Sequence, residues 1–170
     1  TPFLLNITPQ PSWTVWGTGA SYTNLISTTG IQIQQVTFTN NSGNLRLDVP
    51  NPNGYSASGN GATLWFAAYG ATAGTLRVAV NGSNTGATSA GIAYTTTLAY
   101  YNVPFTLSAL DTTVTIALGG YAYGGTTGSA AAQNPCTLYV TDFFITYGTV
   151  LDRLAGNLEL INGTLTSPSA

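Results

Sequence analysis

The residue types on which catalysis and metal binding depend are scarce in this chain. Its 170 residues include no His, no Met, one Cys and five carboxylates, Asp48, Asp111, Asp142, Asp152 and Glu159. Without imidazole there is no Ser-His-Asp or Cys-His arrangement and no zinc site of the usual kind, and one Cys makes no disulfide within the chain. Hydrolysis by paired carboxylates would need two of the five within about 5 to 10 Å of each other, and their spacing gives no sign of it. Cys136 follows Pro135 at a strand start and reads as a small buried apolar residue, not a nucleophile. Asp142 is the exception, because Leu138–Phe144 is otherwise a near-buried strand and a carboxylate there needs a partner. Arg46, Arg77 or a calcium ion held with backbone oxygens are the candidates. Asp152 and Arg153 read as a solvated surface pair. The expectation is no catalytic residue, no metal and no cofactor.

Binding chemistry is better supplied. Trp13, Trp16, Trp65 and ten Tyr could stack on sugar faces, with Asn and Gln giving hydrogen bonds. The same residues are also good strand formers that fill cores. Trp65 and Phe66 are adjacent in a strand, so one of them faces outward, and Tyr100 and Tyr101 pose the same question. Charged residues make up 5% of the chain, where a typical soluble domain carries roughly 25%. Three Arg and no Lys exclude a nucleic-acid footprint or an anionic membrane surface as partner. No run approaches the roughly 18 to 20 apolar residues of a spanning helix, so no membrane insertion is expected. The absence of Met, with the Thr1-Pro2 start, implies a removed leader and hence an extracellular or cell-surface location. Four Asn-x-Ser/Thr acceptors at Asn6, Asn40, Asn81 and Asn162 agree, and make covalent N-glycans an expected decoration.

The elements that position these residues read as all-β. Asn44–Val49 puts three aliphatics on one face before Pro50 and Pro52 stop it, and Thr75–Val80 places Leu76, Val78 and Val80 inward with Arg77 outward. Further strands are expected at Ile31–Thr39, Ala62–Tyr69, Ile92–Tyr100, Val103–Leu107, Thr112–Leu118 and Cys136–Tyr147. Short strands and Gly-rich turns in this number indicate a two-sheet β-sandwich or jelly roll. Gly119–Pro135 reads as a long exposed loop carrying Tyr121 and Tyr123. Asn157–Ile161, Asn162-Gly163 and Thr164–Thr166 have the grammar of a terminal hairpin.

The N-terminal segment divides off as residues 1–11, a strand and a Pro linker ahead of a sandwich at 12–170. Phe3, Leu5 and Ile7 alternate with Leu4, Asn6 and Thr8, and Pro9-Gln10-Pro11 is a semi-rigid spacer. A strand with so apolar a face needs a groove. Either it folds back as the first strand of its own sandwich, or it enters the open sheet edge of a neighbouring copy, donor-strand complementation. The second case joins subunits head to tail in an open filament.

Two resemblances bear on function. The series Leu45–Val49, Gly74–Val78 and Leu138–Phe143 resembles the jelly-roll carbohydrate-binding modules attached to glycoside hydrolases. The whole chain also looks like the subunits of archaeal extracellular filaments, the threads and bundling pili, on the strength of Thr1–Thr8, the Pro9/Pro11 spacer, the composition and the sequons. That likeness implies a structural, non-enzymatic subunit polymerised with identical copies through Phe3, Leu4, Leu5 and Ile7, serving adhesion or biofilm cohesion. Bacterial chaperone-usher pilins share the mode but usually carry a disulfide and Lys, both missing here. The filament is the leading expectation, and a non-catalytic carbohydrate-binding or lectin-like module using exposed Trp and Tyr is the alternative. On that alternative the chain should survive deletion of its first eleven residues.

Overall fold

Alternation along short strands, with Gly and polar turns between them, produces two antiparallel sheets whose apolar faces meet. The computed structural model describes residues 3–51, 57–120, 133–147, 159–161 and 164–166. Its strands are β1 (Phe3–Asn6), β2 (Thr14–Trp16), β3 (Ala20–Ile26), β4 (Gln32–Phe38), β5 (Asn44–Pro50), β6 (Ala57–Tyr69), β7 (Gly74–Gly82), β8 (Thr88–Tyr94), β9 (Ala99–Leu107), β10 (Thr113–Leu118), β11 (Cys136–Tyr147), β12 (Glu159–Ile161) and β13 (Thr164–Thr166). The first sheet runs β3-β4-β11-β6-β9, with β1 also on β11, and the second runs β2-β5-β10-β7-β8. β12 and β13 pair with each other, as the terminal hairpin grammar expects.

The core lies between the sheets. Val36, Phe38, Leu64, Phe66, Leu138 and Ile145 from the first sheet meet Leu45, Leu76, Val78, Ile116 and Leu118 from the second, all fully buried. Each such side chain contributes about 1.5 to 3 kcal/mol relative to exposure. Phe143 stacks on Phe66 at 5.4 Å and takes the edge of Trp13 at 5.3 Å. Gly119, at φ +81°, is required where the chain leaves β10, because a Cβ there would enter the Phe38 ring.

The expected strands at 31–39, 44–49, 62–69, 75–80, 112–118 and 136–147 are present as β4, β5, β6, β7, β10 and β11. Ile92–Tyr100 is a correction: β8 ends at Tyr94 in the second sheet, and β9 begins at Ala99 in the first. β9 then runs through Pro104, which an edge strand tolerates because the missing N–H faces away from the ladder. β2 and β3 are additional strands; β3 is an edge strand carrying mostly polar residues. The loop expected at Gly119–Pro135, with Tyr121 and Tyr123, falls largely outside the described residues.

β1 is folded back within its own sheet. It pairs with β11 from Phe3 opposite Tyr147 to Asn6 opposite Phe144, and the Ile7 amide extends the ladder to Phe143 O at 3.0 Å. Leu5 and Ile7 pack on the core, while Leu4 lies on the opposite face. The spacer is held as firmly. Gln10 Nε2 donates to Leu25 O and Ile33 O at 2.9 and 3.0 Å. The fully buried Gln34 donates to Pro11 O at 2.6 Å and accepts from Trp13 Nε1 at 2.7 Å. The expectation of an N-terminal strand held away for a neighbouring subunit, through Phe3, Leu4, Leu5 and Ile7, is corrected by this arrangement. The apolar face does need a groove, and its own chain supplies one.

Candidate functional site

On the outer face of the first sheet, cross-strand pairing gathers aromatic side chains far apart in sequence. Tyr139 of β11 stands opposite Tyr69 of β6, their rings 4.9 Å apart and 23° from parallel. Gln35 of β4 flanks the pair and donates to Tyr139 Oη at 3.3 Å. Four residues back along β6 and five on along β11, Phe144 stands opposite Trp65, with parallel rings 6.1 Å apart. Trp65 Nε1 donates to Thr146 Oγ1 at 3.0 Å, and Leu4 and Tyr100 close over this second pair. Tyr69, Tyr139 and Tyr100 are half-buried, whereas Trp65 and Phe144 are almost covered. Burial, then the neighbouring Tyr139 phenol, pushes the Tyr69 hydroxyl above its ordinary pKa, so it remains a neutral donor.

A β-bulge explains why the face is laid out this way. Thr141 opposes Ala67 and Phe144 opposes Trp65, so Asp142 and Phe143 together oppose Phe66. Asp142 takes φ +56°, the one positive φ of a non-Gly residue among those described. The extra residue resets the alternation, sending Phe143 into the core and Phe144 to the outer face. It also marks where β11 exchanges neighbours, from β4, ending at Val140, to β1, starting at Phe144. The Asp142 carboxylate accepts from Tyr100 Oη at 2.8 Å. Burial raises its pKa above the usual carboxylate range, and the Tyr100 bond offsets only part of that. Burial first, and then the bond to Asp142, also raises Tyr100.

Two hollows flank these aromatics. One, of about 290 Å³, has Ile33, Tyr69 and Thr141 in its lining, with exposed Ile31 and Leu98 beside them. Its walls are the 27–31 and 95–98 turns. Both are braced by local hydrogen bonds: Ser27 N donates to Ile31 O at 2.8 Å, Ile31 N to Ser27 Oγ at 3.0 Å, and Thr97 N to Thr95 Oγ1 at 3.1 Å. The other hollow, of about 300 Å³, lies between Asn6–Pro9 and Asp142–Phe144.

The remaining sequence candidates fall elsewhere. Trp13 is core, and Trp16 is half-exposed on β2 in the second sheet, with the Arg46 guanidinium 4.2 Å from its ring centre. Phe66 and Tyr101 take the inner alternation while Trp65 and Tyr100 take the outer. Arg46 and Arg77 belong to the second sheet, so neither reaches Asp142; Arg77 faces away from the core, yet is buried and donates to Gly120 O at 2.8 Å. Asp48 accepts from Thr115, and Asp111 caps loops at the sandwich end. The described carboxylates therefore stand apart on different elements, and no group of three or more His, Cys, Asp or Glu among the described residues could hold a metal. Asn6 is exposed; Asn40 is engaged by Ser42 at 2.9 and 2.8 Å; Asn81 is half-buried on β7. Asn162, Asp152 and Arg153 lie outside the described residues. No helix among the described residues is long and apolar enough to cross a membrane.

Cys136 is half-buried, its Sγ accepting from Gln133 Nε2 at 3.1 Å. Burial pushes the thiol pKa up, and the hydrogen bonds with Tyr94 and Gln133 only partly counter it. An aromatic disulfide reagent at pH 7 should therefore modify Cys136 at least ~100-fold more slowly in the native chain than in denaturant, because the thiolate is the reacting form. Comparable rates would show the thiol to be open.

No protein-family model matches the sequence, and no characterised protein matches it by sequence. Solved structures do match the fold. A family 11 carbohydrate-binding module from Clostridium thermocellum, in complex with a β-1,3-1,4-mixed-linked tetrasaccharide, superposes with TM-score 0.56 at 14% identity, covering 84% of this chain and 94% of its own. A variant of a family 29 module in complex with mannohexaose gives TM-score 0.54 at 14% identity, over 90% of this chain and 97% of its own. The chain has their jelly-roll fold. A family 22 module joined to a Clostridium thermocellum xylanase domain, complexed with xylohexaose, gives 0.54 at 10% identity over 86% of this chain and 28% of that one. The filament expectation is overturned by these neighbours, which are carbohydrate-binding modules, and by β1, which completes its own sheet.

Proposed function

We propose that this chain is a non-catalytic carbohydrate-binding module that holds an uncharged polysaccharide on the outer face of its first sheet. The observation that carries the reading is the Tyr69–Tyr139 pair beside a hollow walled by exposed Ile31 and Leu98. A pyranose ring has C–H faces that pack on aromatic and aliphatic carbon and a rim of hydroxyls that hydrogen-bond. Apolar surface with a few placed polar groups suits it; here Gln35 and the tyrosine hydroxyls are those groups. Turns braced by their own hydrogen bonds on both sides limit the ordering cost of binding. Among the described residues this face carries no cation, and Asp142 is its one charge, which favours a neutral glycan over an acidic one. Such a ligand is met outside the cell, in keeping with the location that the sequons suggest.

The test is calorimetric titration of the chain with the mixed-linkage tetrasaccharide, mannohexaose and xylohexaose. At least one should bind, and Tyr69→Ala should weaken it at least tenfold, about 1.4 kcal/mol, with an unchanged melting temperature within a few degrees. Trp16→Ala, on the other sheet, should bind normally. Loss on Trp16→Ala with retention on Tyr69→Ala would move the site to the second sheet.

A further inference from the structure

The second hollow is not needed to explain stacking at Tyr69, yet it is where the backbone is least ordinary. Asp142 adopts a left-handed conformation in the middle of a twelve-residue strand. Backbone in sparsely populated regions persists only where the surroundings hold it, and it concentrates at functional positions. The bulge places a carboxylate, the sole charge of this face among the described residues, at the wall of an open hollow of about 300 Å³. Phe144, Ile7 and Pro9 supply carbon surface to the same hollow, and the exposed Asn6 supplies an amide.

We infer that this hollow is a second sugar subsite, in which Asp142 accepts hydrogen bonds from two adjacent hydroxyls of a neutral saccharide while Tyr100 fixes the carboxylate. This deepens, and rests on, the reading of the outer face as a glycan site. Tyr100 Oη donates to Oδ2, leaving Oδ1 and the second lone pair of Oδ2 as acceptors. Bonds to an ionised acceptor are roughly twice as strong as neutral ones, and vicinal hydroxyls present two donors at the spacing a carboxylate accepts. Thr141 lines the first hollow and Asp142 the second, so the subsites adjoin, and one chain of several sugar residues spans both.

Protonation removes the acceptor. Among the described residues Tyr100 of β9 is the one titratable group in contact with Asp142; β1 and the following linker face it with the neutral Asn6 and Thr8. Because burial holds the carboxyl above its ordinary range, affinity falls on acidification at a higher pH than an exposed Asp would give.

The test uses the tightest of the three saccharides above, titrated from pH 7.5 to 4 against wild type, Asp142→Asn and Tyr69→Ala. Asp142→Asn keeps the shape, accepts from Tyr100 and tolerates the left-handed backbone. Expected is a loss of at least tenfold at pH 7.5 and a profile that no longer falls with acid. Thr8→Trp, a substitution at an exposed position that fills the hollow, should weaken binding similarly, which keeps the test decisive if Asp142→Asn folds poorly. Tyr69→Ala weakened but both Asp142→Asn and Thr8→Trp within twofold of wild type would overturn the subsite and leave the glycan reading standing. No binding of any saccharide by wild type would overturn both.

Discussion

Replacing Asp111 by Ala should lower stability by about 3 kcal/mol or more, the largest effect expected from any carboxylate described here. Asp111 is fully buried at the sandwich end, between the 83–87 and 108–112 loops. Its Oδ1 accepts from the Asn84 amide, and its Oδ2 from Thr85 Oγ1 and, at 2.7 Å, from the Ser108 amide. Its own carbonyl accepts from Asn51 Nδ2 at 2.7 Å, tying in the chain that follows β5. Truncation removes the acceptor of three bonds from the exposed Asn84 and the half-buried Thr85 and Ser108, and a hydrogen bond to a charged group contributes about 1.5 to 3 kcal/mol. Gly82 packs against the carboxylate, 2.6 Å from where a Cβ would be added, so a larger replacement has no room. Denaturant melts of wild type and Asp111→Ala would measure the loss; a difference below 1 kcal/mol would show the loops to be held by other contacts.

The same carboxylate sets the acid limit of the fold. Burial works to raise its pKa, but the bonds from Thr85, Ser108 and Asn84 together outweigh it and hold the group below its usual range. A depressed folded-state pKa contributes stability above the unfolded value of about 4, lost as pH falls through the folded value. Asp142 acts in the opposite sense. Its raised pKa means that the folded state takes up a proton first, so stability rises as pH falls through that value. With no His in the chain, stability should rise slightly from neutral to mild acid and then fall below pH 4.

What the sequence discloses about this fold follows from how local each signal is. β5 and β7 are legible because alternating aliphatics state which side is apolar, and they end at Pro or Asn-Gly. The β8–β9 break is not, because Thr95-Thr96-Thr97 carries none of the usual turn residues. At the site, Trp65 and Tyr100 were identifiable as possible outward aromatics from adjacency to Phe66 and Tyr101. Tyr69 and Tyr139 were not, since their pairing is set by strand order across a long stretch of chain. The bulge was invisible for a further reason: one extra residue inverts the parity of everything after it, so alternation alone assigns Phe143 and Phe144 to the wrong faces. Asp142 did announce itself as a carboxylate in an apolar strand, though its partner is a phenol on the same sheet and not an arginine. The N-terminal strand shows a different limit. An apolar face formed by Leu5 and Ile7 has the same pattern whether the groove it fills is its own or another subunit's.

That ambiguity gives the last prediction. Although the sequence alone suggests that a binding module survives loss of its first eleven residues, β1 and the Pro11 carbonyl are built into the sheet and core. A chain lacking residues 1–11 should therefore be destabilised by about 4 to 6 kcal/mol, a large share of the 5 to 15 kcal/mol that holds a domain together. Leu5 and Ile7 leave the core, at about 1 kcal/mol or more each for half-buried side chains. The Pro11 carbonyl that Gln34 reaches at 2.6 Å is lost, leaving one donor of a fully buried amide short of a partner. Gln10 no longer ties β3 to β4 through Leu25 O and Ile33 O. The edge of β11 from Phe144 to Tyr147 opens, inviting pairing with other chains. The truncated chain should therefore unfold at lower denaturant and aggregate, while the full chain elutes as a monomer. Because Leu4 also closes over Trp65 and Phe144, any fraction that folds should bind saccharide more weakly. A truncated chain as stable as the full one, beside a full chain that polymerises, would mean that β1 belongs to the neighbour after all.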